Sequence, residues 1–288
     1  MTGAADNALR EQAFTFACDG ARMVGILHEP QGEPAPHGLL ILVGGPQYRV
    51  GAHRQYVHLA RAAARAGIAA MRFDWRGVGD SEGEYPGFQN LKADMDAAIA
   101  EFRRRAPHLR GVVLWGLCEG ASAILLGGVD NPSVSGAVIV NPWVRTETGA
   151  AQTYLKHYYG KRLRNPENWK RILRGEINIA RSAASILGLL RRALGQRETK
   201  AADDRPYPCR MADGLRRYNG ATLVLMSERD LVAREFEDTA SRAPEWQGLL
   251  DRPTVTRVQI PETDHTFSSE RWRRAAADAT IRFLRSLP

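Results

Sequence analysis

Cysteine is scarce in this chain. Its three copies, Cys18, Cys118 and Cys209, are odd in number and widely spaced, which argues against a disulfide framework and a zinc site of paired thiolates. Long apolar runs are missing as well: nothing approaches the ~18 consecutive apolar residues of a membrane-crossing helix. The opening segment, MTGAADNALREQAF, is polar and carries acids. It lacks the basic stretch and apolar run of a secretory leader, so the expected compartment is the cytoplasm. Neither an internal repeat nor a low-complexity segment is found. What is present is ample apolar material, 44% of 288 residues, enough for one large α/β domain or two small ones.

Short apolar runs alternate with helical patterns along most of the chain. Ala13–Ala17 and Arg22–His28 read as an opening antiparallel pair turning at Asp19-Gly20. Leu39–Val43, Ile68–Phe73, Val112–Leu117, Ala137–Val140, Thr222–Met226 and Val255–Ile260 read as further strands. The continuous apolar run Leu39–Val43 is what burial on both faces requires. Helices are expected at His53–Ala66 (stopped by Gly67), Gln89–Arg105, Glu119–Gly127, Val232–Ser241 and Glu270–Ser286. Such alternation implies an α/β fold with a mostly parallel sheet and right-handed crossovers.

The alternation lapses over 143–218, which reads as a helical insertion over the strand ends, dividing a core of 1–142 and 219–288. From Arg145 to Arg217 there are 17 Lys/Arg against 7 Asp/Glu, a net +10 in a chain of net +8. Trp169, Ile172, Leu173, Ile177 and Leu187 share an apolar stripe, with Arg171, Arg174, Arg181 and Arg192 largely off it. A basic amphipathic segment of this kind suits an acyl tunnel, an acidic acyl carrier protein or an anionic membrane surface. It equally suits a solvated face. No nucleic-acid partner, metal or cofactor is expected.

The sharpest signal is Gly116-Leu117-Cys118-Glu119-Gly120, between a buried strand and a helix. It matches the G-x-S-x-G nucleophile elbow with cysteine in the serine position. The chain must turn sharply there, which the flanking glycines permit, and the Glu119 N–H opens a helix where negative charge develops. A thiol nucleophile needs a base and an orienting acid. His265 and Asp230 stand just past predicted strands, at the carboxyl edge where ligands bind in open α/β sheets, and they follow the nucleophile in the expected order. Asp264, beside His265, and Asp251 are weaker rivals to Asp230. The second oxyanion donor is expected in the loop after the first parallel strand, at Gly45 or else Gln47; Pro46 has no N–H. His53 and Arg54, opening the next helix, are candidate pocket or substrate contacts.

These motifs resemble the α/β-hydrolase superfamily over nearly the whole chain. Phe73-Asp74-Trp75-Arg76-Gly77-Val78-Gly79-Asp80-Ser81 resembles its D-x-R-G-x-G-x-S loop. Gly44-Gly45-Pro46 is similar to the H-G-G-P loop of proline iminopeptidases, with Val43 replacing the histidine. Gly-Ala-His-Arg-Gln (51–55), Phe-Asp-Trp-Arg-Gly (73–77) and Gly-Leu-Cys-Glu-Gly-Ala-Ser-Ala (116–123) together resemble the type 1 hydrolase accompanying the exosortase A system. The resemblance implies an α/β-hydrolase fold; a cysteine nucleophile forms a thioester intermediate open to water or another nucleophile, so an ester or thioester hydrolase or an acyltransferase is expected. The less favoured expectation is an inactive binding module.

Overall fold

The structure is a computed structural model and describes residues 9–45, 47–145 and 205–288. Eight strands form one sheet: β1 (Glu11–Cys18), β2 (Ala21–His28), β3 (His37–Leu42), β4 (Ala70–Phe73), β5 (Gly111–Leu117), β6 (Val134–Val140), β7 (Ala221–Ser227) and β8 (Val255–Ile260). Their order is β1-β2-β4-β3-β5-β6-β7-β8. The β1–β2 and β2–β4 pairs are antiparallel and all others parallel. Asp19 and Gly20 join β1 to β2 with φ of 45° and 79°, the pair of positive angles a tight type I′ hairpin needs.

The helices are α1 (Gln55–Arg65), α2 (Lys92–Arg105), α3 (Glu119–Leu126), α4 (Tyr207–Arg217), α5 (Leu231–Arg242) and α6 (Glu270–Arg285). Successive strand residues face opposite sides of a sheet, and β5 shows what covers each. Trp115 meets Tyr56 of α1 edge to face and donates from Nε1 to Thr280 Oγ1 of α6 at 3.2 Å. Its neighbour Leu114 lies on the side of Gly128 and Met95 of α2. With helices on both faces, β3 and β5 are buried at every residue, which is why they read as unbroken apolar runs.

Gly67 ends α1 as the sequence suggests. At φ 83° it lets Ile68 N–H reach Ala63 O (2.9 Å) and its own N–H reach Ala64 O (3.1 Å), the paired closing bonds of a Schellman end. Two helix starts differ from expectation. His53 and Arg54 have φ of 52° and 57°, so the α-helix starts at Gln55, after a 3-10 turn at Ala52–Arg54. Residues Phe88–Asn90 form another such turn after Gly87 (φ 81°), and α2 starts only at Lys92.

The chain divides into two compact units, 1–144 with 207–288, and 145–206. Tyr207–Arg217, expected within the insertion, is part of the first unit: α4 packs so closely on α3 that a Cβ at Gly214 would stand 1.8 Å from Leu125 O. The apolar stripe and the arginines at 171, 174, 181 and 192 lie outside the described residues. Among the described residues, no helix is long and apolar enough to cross a membrane.

Candidate active site

Cys118 occupies the single residue between β5 and α3, with φ 58° and ψ −122°. For a residue with a Cβ this is a strained conformation, costing about 1–3 kcal/mol, and the surroundings hold it. The Cys118 N–H donates to Val140 O (3.0 Å), and its carbonyl accepts from Ser122 N (3.1 Å) and Trp143 N (3.3 Å). Three glycines let the segments meet. A Cβ at Gly116 would stand 2.5 Å from the Gly120 carbonyl carbon, one at Gly120 2.6 Å from Leu42 O, and one at Gly44 1.9 Å from Leu117 O. The loop after β3 is thus pressed directly against the elbow. Gly44→Ala is expected to destabilise the fold by at least about 1–3 kcal/mol, as overpacking does, and to remove activity. Thermal melting with a turnover assay checks this; a variant matching the parent in both would contradict the close approach.

The tips of β7 and β8 present the other two groups. Asp230 is buried and uses both oxygens: Oδ1 accepts from Val232 N (3.0 Å), capping α5, and Oδ2 accepts from His265 Nδ1 (2.6 Å). The Cys118 side chain lies close enough to the imidazole to raise its pKa. Burial alone would lower the His265 pKa, but the hydrogen bonds to Asp230 and Cys118 and their charges outweigh it and raise it to about 10. Both tips are tied together, with Arg229 N donating to Thr263 O (2.9 Å) and Glu262 N to Glu228 Oε2 (2.7 Å). The rival acids are placed otherwise. Asp264 accepts from Thr266 N (3.2 Å) and Ser268 N (3.0 Å) in its own turn. Asp251 precedes β8, at the opposite end of that strand from His265.

The D-x-R-G-x-G-x-S loop turns out to be a knot that fixes the loop after β3. The fully buried Asp74 carboxylate accepts from Arg49 N (2.6 Å), from the Arg49 guanidinium and from Asp80 N (3.1 Å). Gly79 passes so close that a Cβ there would stand 2.4 Å from Asp74 Oδ2. Trp75 Nε1 donates to Val43 O (2.8 Å), and Gln47 Oε1 accepts from Ala52 N (3.1 Å). Within this braced loop Gly45 has φ 63°, and a Cβ there would meet nothing within 4 Å. The Glu119 N–H opens α3, where a donor has no partner within the helix. His53 and Arg54 are exposed.

One supporting residue escaped the sequence reading. Asn141, fully buried at the end of β6, donates from Nδ2 to Ser227 Oγ (2.9 Å) and accepts from Ser227 N (2.8 Å). The same amide reaches His265 O at 3.5 Å. It links the β6 tip, the Asp230 strand and the histidine loop. A polar residue closing the apolar run AVIV was the available signal.

Cys118, His265 and Asp230 therefore gather at the carboxyl edge of a mostly parallel eight-stranded sheet, and known structures repeat that architecture. The esterase Pf2001 of Pyrococcus furiosus superposes with a TM-score of 0.67 at 14% identity, covering 97% of this chain and 92% of its own. Est1E of Butyrivibrio proteoclasticus, solved with ferulic acid bound, gives 0.61 at 15% identity, covering 96% and 99%. This protein has the α/β-hydrolase fold. An esterase domain from Rhodothermus marinus gives 0.59 at 16% identity, covering 96% and 99%. A family model described as serine aminopeptidase, S33, matches residues 34–174, just under half of the chain. No curated protein sequence matches the chain. At the elbow of this α/β-hydrolase-fold chain the residue is cysteine, not the serine of that family's description.

Proposed function

We propose that this protein is an acyl-transfer hydrolase for carboxylic esters or thioesters, with Cys118 as nucleophile, His265 as acid and base, and Asp230 as orienting acid. The observation that carries the reading is the 2.6 Å hydrogen bond between His265 and Asp230 beside Cys118, which stands at a strained strand-to-helix turn close enough to raise the imidazole's pKa. The esterases named above share the fold, which supports hydrolysis of an acyl bond.

In this mechanism the Cys118 thiol gives its proton to His265 Nε2, the sulfur pair attacks the carbonyl carbon, and the carbonyl π pair moves to oxygen. As the C=O bond re-forms, the bond to the alkoxy or thiol group breaks. The leaving group takes the proton from His265 Nε2, and the acyl group remains on Cys118 as a thioester. A water then gives a proton to the neutral imidazole and attacks the thioester, and the acid departs as the thiol re-forms. Asp230 accepts from Nδ1 throughout, which keeps Nε2 facing the sulfur. An alcohol or amine in place of water turns the same sequence into acyl transfer.

Intact-mass measurement tests the reading. Incubation with p-nitrophenyl butyrate or a panel of acyl thioesters is expected to add one acyl group to Cys118. Absence of both adduct and product across the panel would overturn it. Partition of the acyl group to an added acceptor in preference to water would favour the transferase.

A further inference from the structure

The cleft between α1 and α6 holds a polar side chain with nothing to bond. Gln55 opens α1 and is 4% exposed, yet neither its Nε2 nor its Oε1 has a hydrogen-bond partner among the described residues. Gly51 packs against its stem, where a Cβ would stand 2.9 Å from Gln55 Cγ. Gln55 lines a cavity of about 240 Å³ with Leu59 of α1, Trp115 of β5, Phe267, and Arg273 and Ala277 of α6. Apart from Gln55 and Arg273 the walls are apolar, since the one N–H of Trp115 is already given to Thr280 Oγ1.

A buried amide left without partners is costly, and the groups around the cavity say what would satisfy this one. Gln55 offers N–H donors and an acceptor oxygen on neighbouring atoms. Arg273 adds a positive charge. Its Nη1 donates to Phe267 O (3.2 Å) and Ser268 O (2.8 Å), while its Nε and Nη2 make no hydrogen bond among the described residues. A matching ligand carries an anionic acceptor and a hydroxyl donor side by side, on a small apolar frame. We propose that this cavity is a binding site for a small 2-hydroxycarboxylate. A carboxylate oxygen accepts from Gln55 Nε2 with Arg273 beside it, and the 2-hydroxyl donates to Gln55 Oε1.

Size and charge narrow the class. The cavity is smaller than the roughly 300 Å³ at which drug-sized pockets begin, so the acid is short. A neutral amide would leave Arg273 without a counter-charge, and an unsubstituted acid would leave Gln55 Oε1 without a donor. A site built to bond a hydroxyl discriminates against the analogue lacking it, because its own polar atom then stays buried and unpaired. The site is distinct from the triad. None of Cys118, His265 and Asp230 lines the cavity, although Phe267, at φ 52°, follows His265 by only two residues. No bond is made or broken there, so binding does not depend on the cysteine mechanism.

Isothermal titration calorimetry with sodium lactate tests this. Saturable one-to-one binding is expected in the parent, and equally in Cys118→Ala. Propionate, which lacks the hydroxyl, and lactamide, which lacks the charge, are each expected to bind about 10-fold more weakly or worse, the effect of losing one hydrogen bond in a charged site. Gln55→Met keeps the length of the side chain and removes its polar atoms. That variant is expected to melt no lower than the parent, because no buried amide is left unpaired, and to bind lactate about 10-fold more weakly or worse. A cavity that holds only water would give no saturable lactate heat, which overturns the proposal. So would propionate or lactamide binding as tightly as lactate, or undiminished lactate binding in Gln55→Met. Lactate binding lost in Cys118→Ala would place the acid at the triad and overturn it too. The ligand series in the parent protein decides the matter even if Gln55→Met fails to fold.

Discussion

Replacing Cys118 with alanine is expected to lower kcat/KM for any accepted ester or thioester by about 10⁴–10⁶-fold, as loss of a triad nucleophile does. The fold should be retained, because alanine removes only a sulfur from a half-buried site. Its backbone bonds to Val140, Ser122 and Trp143 do not involve the side chain. The strain of φ 58° is unchanged, since alanine also carries a Cβ. The same residue is expected to react with iodoacetamide ahead of the other two cysteines. Cys18 is buried in β1, and that burial raises its thiol pKa, which leaves less thiolate to react. Equal labelling of all three cysteines, or turnover in the alanine variant near the parent's, would show that the acyl group is carried elsewhere. Cys118→Ser sharpens the test. A hydroxyl is far less acidic than a thiol, so a site whose histidine is set for a thiolate partner should work poorly with serine.

The succession of strands along the chain and the residues that follow them were legible in the sequence because both follow from pattern. Buried runs such as Leu39–Leu42 and Val112–Leu117 are apolar at every position, and the residue that follows such a run becomes visible by contrast. Cys118 after GVVLWGL stands out for that reason, as does Asp230 after ATLVLMS; His265 follows the largely exposed VTRVQI and is read from its place after a strand. What did not show is what depends on side chains meeting across long intervals. Asp74 and Arg49 lie 25 residues apart, and neither position announces the other. Asn141 lies 86 residues from Ser227 and 124 from His265. The close approach of Gly44 to the elbow arises only once β3 and β5 pair. The late starts of α1 and α2 were hidden too, since positive φ at His53 and Arg54 reflects how that loop is held and not the propensity of those residues.

Asp230→Asn is expected to cost about 10³–10⁴-fold in kcat/KM while leaving the fold intact, the pattern seen when a triad acid becomes an amide. The reason lies in the two oxygens. An asparagine oxygen can still accept from Val232 N and cap α5, so the helix start is preserved. The amide nitrogen, however, would face His265 Nδ1 as a donor. Nδ1 must then accept, which moves the remaining imidazole proton to Nε2 and directs it at the thiol, where a base is needed. The substitution also removes a negative charge and a hydrogen bond that raise the His265 pKa to about 10 against its burial. That pKa lies above the ordinary 6.5, so the Asp230–His265 interaction stabilises the fold fully below about pH 6.5 and is lost as pH rises through about 10. In the asparagine variant the histidine should titrate well below the parent's value, since burial then opposes the charged form with less to offset it. Proton NMR of the His265 Cε1–H across pH 5–11 reads this directly, and the alkaline fall of kcat/KM should shift downward with it. A parent histidine that titrates near 6.5, or one whose titration is unmoved by Asp230→Asn, would show that the 2.6 Å contact does not govern the imidazole's charge.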